Sequence, residues 1–270
     1  MTIKTRNKLN LSLFFFSLFF LAANVLILIL SIYNKSFSLS DYLSTGGKLL
    51  TRYSPLVVLI SLYFQIIYVC TTSYMLYRVF EKTQATDISF FFLFLIALIA
   101  NSIRIWILLF NMNSTFSGLL VFCGNCILFS KLLVPTSLLF SVVMSDADQR
   151  QNLEKNIFIL LLVSIFFAQL LPINTARVCQ NFEVDYGYRN VIKITSILVV
   201  LATLIALFFN NKQKFYTQLT TIGLACICTG TFILFNSINI LRLALAFIFL
   251  FVGNLLYLRE LHKQYLWNDA

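Results

Sequence analysis

Two cations stand inside the most apolar stretches of the 270-residue chain: Arg104, within Asn101-Ser102-Ile103-Arg104-Ile105-Trp106, and Lys131, four residues before Pro135. An ionised side chain at bilayer depth costs at least about 2.5–3.5 kcal/mol by insertion scales, so each needs a partner or a route to water. Uncompensated positive charge in such a layer seeks a negative ligand, a carboxylate or a lipid phosphate, and that is the chemistry these residues could do. The alternative is structural: Arg104 snorkels outward or bonds Asn125 and helix carbonyls, while Lys131 snorkels inward. A link of about four residues around Asn113 and Ser114 joins the two carrier segments and folds them into an antiparallel helix pair. Equal distance from that link means equal depth, which groups Arg104 and Asn101 with Cys123, Asn125 and Cys126, roughly 10 Å below the outer surface. Lys131 comes about 10 Å deeper by the same helical rise, and Pro135 removes the backbone bond to its carbonyl, which predicts a kink at the charge. Arg104, Lys131, Asn101 and Asn125 are the candidate ligand-binding residues.

Cys123-Gly124-Asn125-Cys126 has the C-x-x-C spacing of redox motifs, so Cys123 and Cys126 are a candidate thiol site. On a continuous helix the same four residues read as small side chains flanking a glycine at a packing face. Cys226 and Cys228, with Gly223, Ala225, Thr229 and Gly230, read as a close-packing face of another helix. Cys70 reads as core and Cys179 as a single loop cysteine, which implies no disulfide framework. His262, the one histidine, falls in the C-terminal tail beside Glu260 and Lys263 and reads as solvated. No second ligand lies at metal spacing, so neither a metal nor a cofactor is expected.

All ten acidic residues fall in segments that read as loops or tails, Asp41, Glu81, Asp87, Glu183 and Asp185 among them. On that reading neither intramembrane cation has a carboxylate to pair with. Coupled pumps, intramembrane aspartyl or metal hydrolases and diphosphate-binding transferases depend on carboxylates in or at the edge of the membrane, and the reading speaks against them. The chain also lacks G-x-x-x-x-G-K-S/T and G-x-S-x-G, which leaves nucleotide hydrolysis and nucleophile-elbow chemistry without support.

The elements that position these residues follow from composition. Hydrophobic residues make up 60% of the chain and charged residues 11%, against about 25% charged in ordinary proteins. A soluble domain of this size has no such lack of polar surface, so the expected fold is all-α, a polytopic transmembrane helix bundle without a soluble domain. Runs of roughly 20 apolar residues place about eight spanning helices near 11–33, 55–79, 88–111, 116–144, 157–173, 192–210, 217–236 and 239–258. Only Asn236-Ser237-Ile238-Asn239 separates the last two, so seven remains open. The first apolar run, which follows Lys4, Arg6 and Lys8, is too long for a cleaved signal and reads as a retained helix. More Lys and Arg fall on the side of Lys4, Arg6, Lys8, Arg78 and Lys82 than on the side of Lys35, Lys48, Arg52 and Arg177, which orients both termini to the cytoplasm of a plasma (inner) membrane. The net charge of +10 then reads as a topology signal and an affinity for anionic lipid head groups, with no nucleic-acid partner. The segment from Ser40 to Ser54 reads as a connecting loop or an interfacial helix, and Asn113-Ser114-Thr115 matches a glycosylation sequon at the membrane surface.

Ala100-Asn101-Ser102-Ile103-Arg104-Ile105, with Cys70 upstream, resembles the Asn-x-x-Arg and cysteine elements of the exosortase and archaeosortase transpeptidases, multi-helix membrane proteins. The resemblance covers about a quarter of the chain and implies a cysteine nucleophile activated by a nearby base. Thr-Thr follows Cys70 where that family has Ser-Gly, no histidine follows Arg104 in the membrane region, and Cys70 falls far deeper than Arg104. A short echo between Asn101-Ser102-Ile103 and Asn236-Ser237-Ile238, four helices apart, has the form of a duplicated transporter unit. Three functional readings follow. The first is binding or translocation of a lipid-like or organic anion, without an enzymatic step. The second is an accessory or sensory subunit acting through helix contacts with a protein partner or a second copy. The third is a membrane-embedded thiol enzyme.

Overall fold

Long apolar runs in a medium without water satisfy their backbone only as helices, and the computed structural model of the chain follows that constraint. It describes residues 3–33, 54–81, 86–110, 116–144, 153–179, 181–212 and 217–267. In chain order the elements are α1 (Ile3–Tyr33), α2 (Pro55–Val79), α3 (Thr86–Ser102), α4 (Ile105–Leu109), α5 (Ser117–Val143), α6 (Leu153–Leu170), β1 (Ile173–Val178), β2 (Val184–Tyr186), α7 (Arg189–Lys212), α8 (Gln218–Phe235) and α9 (Ile240–Trp267). With α3 and α4 forming one span, eight helices among the described residues are long and apolar enough to cross a membrane, and the chain is an integral membrane protein. The stretch from Asn236 to Asn239 is a true break: α8 is capped at Asn236, and the Ile238 carbonyl accepts from the Ser54 amide at 3.2 Å. Ser40–Tyr53 and the sequon lie outside the described residues.

The ends are set by local chemistry. Pro55, which lacks an N–H, occupies the first turn of α2, and the Thr217 hydroxyl accepts from the Thr220 amide to start α8. Pro135 sits inside α5, which continues to Val143. The third span departs from the continuous helix expected over 88–111. Its regular hydrogen bonding breaks at Ile103-Arg104 and tightens there, with Trp106 N–H donating to the Ile103 carbonyl and Ile107 N–H to the Arg104 carbonyl.

α2, α3 and α5 form the centre, and α1, α6 and α7 the rim. α1 is tied on through Asn24, whose carbonyl accepts from the Tyr63 hydroxyl and whose Oδ1 accepts from the Trp106 indole. α8 and α9 pack backbone to backbone, because a Cβ on Gly253 would stand 2.8 Å from the Gly223 carbonyl oxygen. Gly223, Gly230 and Cys228 are buried on this pair, as a close-packing face requires, while Thr229 is exposed. At the end that holds both termini, the Arg6 guanidinium donates to the Phe80 carbonyl and Asn7 donates to the Glu81 carbonyl at 2.7 Å. His262 is not a solvated tail residue: it is half-buried on α9, edge-on to the Phe80 ring at 5.5 Å. Asp87 is likewise not a loop residue, but lies 1% exposed in the first turn of α3.

The end opposite the termini holds a folded hairpin where the polar composition predicts a plain loop. Ile173, Thr175, Val178, Val184 and Tyr186 are strand formers, and residues 173–186 make an antiparallel two-stranded hairpin with Ile173 opposite Tyr186 and Asn174 opposite Asp185. The hairpin leans into the bundle. Ile173 seats over Gly124 of α5, where a Cβ would come within 2.9 Å of its Cδ1, so the glycine between the two cysteines makes room for the hairpin.

Candidate functional site

The turn of the hairpin carries Glu183 inward. The Cys179 amide donates to the Glu183 carbonyl at 2.7 Å, the Phe182 amide donates to the Cys179 carbonyl at 2.9 Å, and Phe182 adopts a left-handed φ of 58°. That backbone state costs a non-glycine residue roughly 1–2 kcal/mol, so packing must hold it; the Phe182 ring lies against the Val58, Leu62 and Ile105 cluster. The result is a carboxylate with 1% side-chain exposure at the junction of the two intramembrane cations.

Glu183 Oε1 accepts from Arg104 Nη1 at 3.1 Å and Oε2 accepts from Lys131 Nζ at 2.6 Å. Lys131 also donates to the Tyr186 hydroxyl at 3.0 Å, with its ammonium 5.0 Å from the centre of that ring. Arg189, at the start of α7, approaches Oε2 at 3.9 Å and donates to Cys179 Sγ at 3.1 Å. Burial works to raise the Glu183 pKa, but Lys131 and then Arg104, with hydrogen bonds from Lys131 and Asn181, outweigh it and hold the group below the ordinary carboxylate value. Glu183 is therefore ionised at neutral pH. Three cations share this one carboxylate, and the cluster stays net positive.

One expectation is corrected here. The intramembrane cations do have a carboxylate partner, because the linker that carries Glu183 folds back into the bundle instead of staying in solvent. With Glu183 among the intramembrane cations, carboxylate-dependent chemistry is not disfavoured on that ground. The two cations also make one site, since the Lys131 stem and the Glu183 side chain span the difference in depth between them.

The other candidates separate. Asn101 donates to Gln65 Oε1 on α2 at 2.8 Å, fully buried; Asn101 Oδ1, Gln65 Nε2 and Arg104 Nε have no hydrogen-bond partner among the described residues. Asn125 is half-buried and bonds none of these groups among the described residues, because equal depth does not fix rotation about a helix. Cys123 is buried against Leu120 and Ile127, and both it and Cys126 are free thiols. The Asn101–Gln65 bond sets α2 against α3, and by helical rise it leaves Cys70 about 12 Å from Arg104 along the bundle, too far for a nucleophile and its base. The Asn-Ser-Ile echo marks two helix ends: Ser102 Oγ donates back to the Ile99 carbonyl and Ser237 Oγ to the Leu234 carbonyl.

Below the charged cluster, α5, α7 and α8 enclose a cleft of about 140 Å³. Lys131, Arg189 and Lys193 line it at one end together with Tyr186 and Asn236; the remaining wall is mainly apolar, with Val134, Leu138, Val200 and Phe232, and includes Ser196 and Thr231. Among the described residues no acidic side chain lines it. Arg189 and Lys193 belong to the start of α7 and Tyr186 to the hairpin, none of them singled out by sequence; the signal present was the alternation of strand formers from Ile173 to Tyr186. No family model, no curated protein and no solved structure matches the chain.

Proposed function

We propose that the protein binds a lipid-like or organic anion at the cationic end of the α5–α7–α8 cleft and carries or presents it within the membrane. The observation that supports this reading is the lining itself: Lys131, Arg189 and Lys193 converge on the cleft, and among the described residues no acidic side chain lines it. Glu183 sits behind Lys131 as its resident counter-ion. It lets the ammonium persist at depth while Lys131 keeps 16% of its side chain exposed. Arg189 and Lys193 add charge at the mouth, where an incoming anion exchanges water for N–H donors. In this proposal the termini are cytoplasmic and the hairpin faces the outer side of a plasma membrane, a choice supported by the excess of Lys and Arg near the termini.

Thermal unfolding of the purified protein against a panel of anionic lipids and organic anions tests the reading, with Lys131→Gln and Arg189→Gln run in parallel. A ligand at a hundred times its Kd stabilises by about 2.7 kcal/mol, a readily measured shift. One ligand class should shift the wild type, shift Arg189→Gln less and fail on Lys131→Gln. If no anion shifts the wild type while the folded variants match it, the pocket is lost and the partner-subunit reading takes its place.

A further inference from the structure

The shape of the cleft narrows the class of anion. Its cationic end lies beside the hairpin, where Arg189 is 48% exposed and water reaches the charges. The hairpin covers that end: Tyr186 is buried with Leu128, Ala168 and Ile192, and Val184 with Leu120 and Ile127. From Lys131 to Leu138 on α5, and from Lys193 to Val200 on α7, the walls become mainly apolar over about 10 Å of helical rise; the hydroxyls among them, Ser196 and Thr231, donate to carbonyls of their own helices. α7 leans on α5 and touches α8 lightly, and it is the least buried of the eight spans, with 17% of its apolar window covered. The seam between α7 and α8 thus faces the bilayer along the apolar part of the cleft.

Resting on the anion-binding reading above, we infer that the ligand is a single-headed anionic amphiphile drawn from the membrane, its head group on Lys131, Arg189 and Lys193 and its alkyl chain in the α7–α8 seam. A water-soluble anion would use the charges and leave Leu138, Val200 and Phe232 without an occupant. An alkyl chain continues the bilayer into the seam and removes that apolar surface from lipid packing defects and water alike. The head group stays at the water-accessible end, so no charge is dragged across the apolar walls.

A series of straight-chain carboxylates of one head group and increasing length, from acetate upward, tests this against the protein in zwitterionic nanodiscs, with empty nanodiscs as the reference for partitioning. Referred to the free aqueous concentration of the carboxylate, each methylene that enters the seam should tighten binding roughly fourfold, until the chain outgrows the apolar wall and the gain stops. Val200→Trp, which fills the seam from the exposed helix, should remove the chain-length gain. Equal affinity along the whole series would overturn the amphiphile and leave a soluble-anion site standing. Absence of binding at every length, with a phosphate-headed series equally silent, would remove the anion site itself.

Discussion

Arg104 and Lys131 share one carboxylate, yet they live in different surroundings. Arg104 is 1% exposed, sealed between the break in the third span and the hairpin, with its Nε unpartnered among the described residues. Lys131 is 16% exposed and looks into the cleft. The same ion-pair chemistry therefore does two jobs. On the sealed side a charge can only hold structure, since nothing reaches it; on the open side the charge that Glu183 steadies is still available to a ligand. Burial, more than charge, divides the site into a sealed half and an open half, and it is to the open half that the proposed binding belongs.

The largest test removes what the halves share. Glu183→Gln leaves Arg104 and Lys131 without their counter-ion, and breaking a buried pair from one side costs about 3–5 kcal/mol. Reversible unfolding in micelles should show that loss, and Arg104→Met placed on top of Glu183→Gln should recover part of it, because it removes the more deeply buried orphan charge. If Glu183→Gln is as stable as wild type, the hairpin does not insert a charge and the comparison collapses.

Titration asks the same question with a proton. The folded pKa of Glu183 is lowered, so its contribution is complete above the unfolded carboxylate value of about 4.3 and is lost as pH falls through the folded value below it. Stability attributable to Glu183, read as the difference between wild type and Glu183→Gln, should be constant from neutral pH down to that region and shrink under stronger acid. A difference that vanishes already near pH 6 would mean a raised pKa and a carboxylate poorly met by its cations.

Of intermediate size is the split between the two cations. Arg104→Met leaves Glu183 bonded to Lys131, and the lost charged hydrogen bond should cost about 1.5–3 kcal/mol while ligand-dependent stabilisation survives. Lys131→Met leaves Glu183 with Arg104 and should cost less, because its side chain is already partly hydrated, yet it should abolish the ligand shift. Identical behaviour of the two variants in both measurements would erase the division.

How far the sequence shows this division follows from range. The two cations are legible, because a charge in an apolar run stands out by itself. Their partner is not, because Glu183 lies 79 and 52 positions away and reaches them only through a hairpin of six- and three-residue strands. The spanning helices are legible from composition, since nothing else satisfies the backbone in lipid. The break at Ile103-Arg104 is not, for neither Pro nor Gly marks it and it depends on the surroundings of Arg104. Asn125 was grouped with Arg104 by depth, which a hairpin link fixes; which way it turns is set by packing, which no local pattern records. Gly124 stood in view all along, but its use as the seat of Ile173 needs a partner from beyond the next helix.

The smallest expected effect on stability is the sharpest on function. Arg189 touches Glu183 at 3.9 Å from a half-exposed position, and an ion pair of that kind contributes about 0–1 kcal/mol, screened further by salt. Arg189→Gln should unfold with the wild type to within that margin. It should nevertheless weaken the anion, because the guanidinium lines the cationic end of the cleft and loses a donor pair that the carboxamide replaces without charge. Raising the ionic strength should reproduce part of the same loss in the wild type and little in the variant, since screening acts on the exposed charge and hardly reaches the sealed one. A variant that binds as the wild type does at every ionic strength would move the binding half inward to Lys131 alone, and a cleft mouth built from Arg189 and Lys193 would then serve only to hold the start of α7 against the lipid head groups.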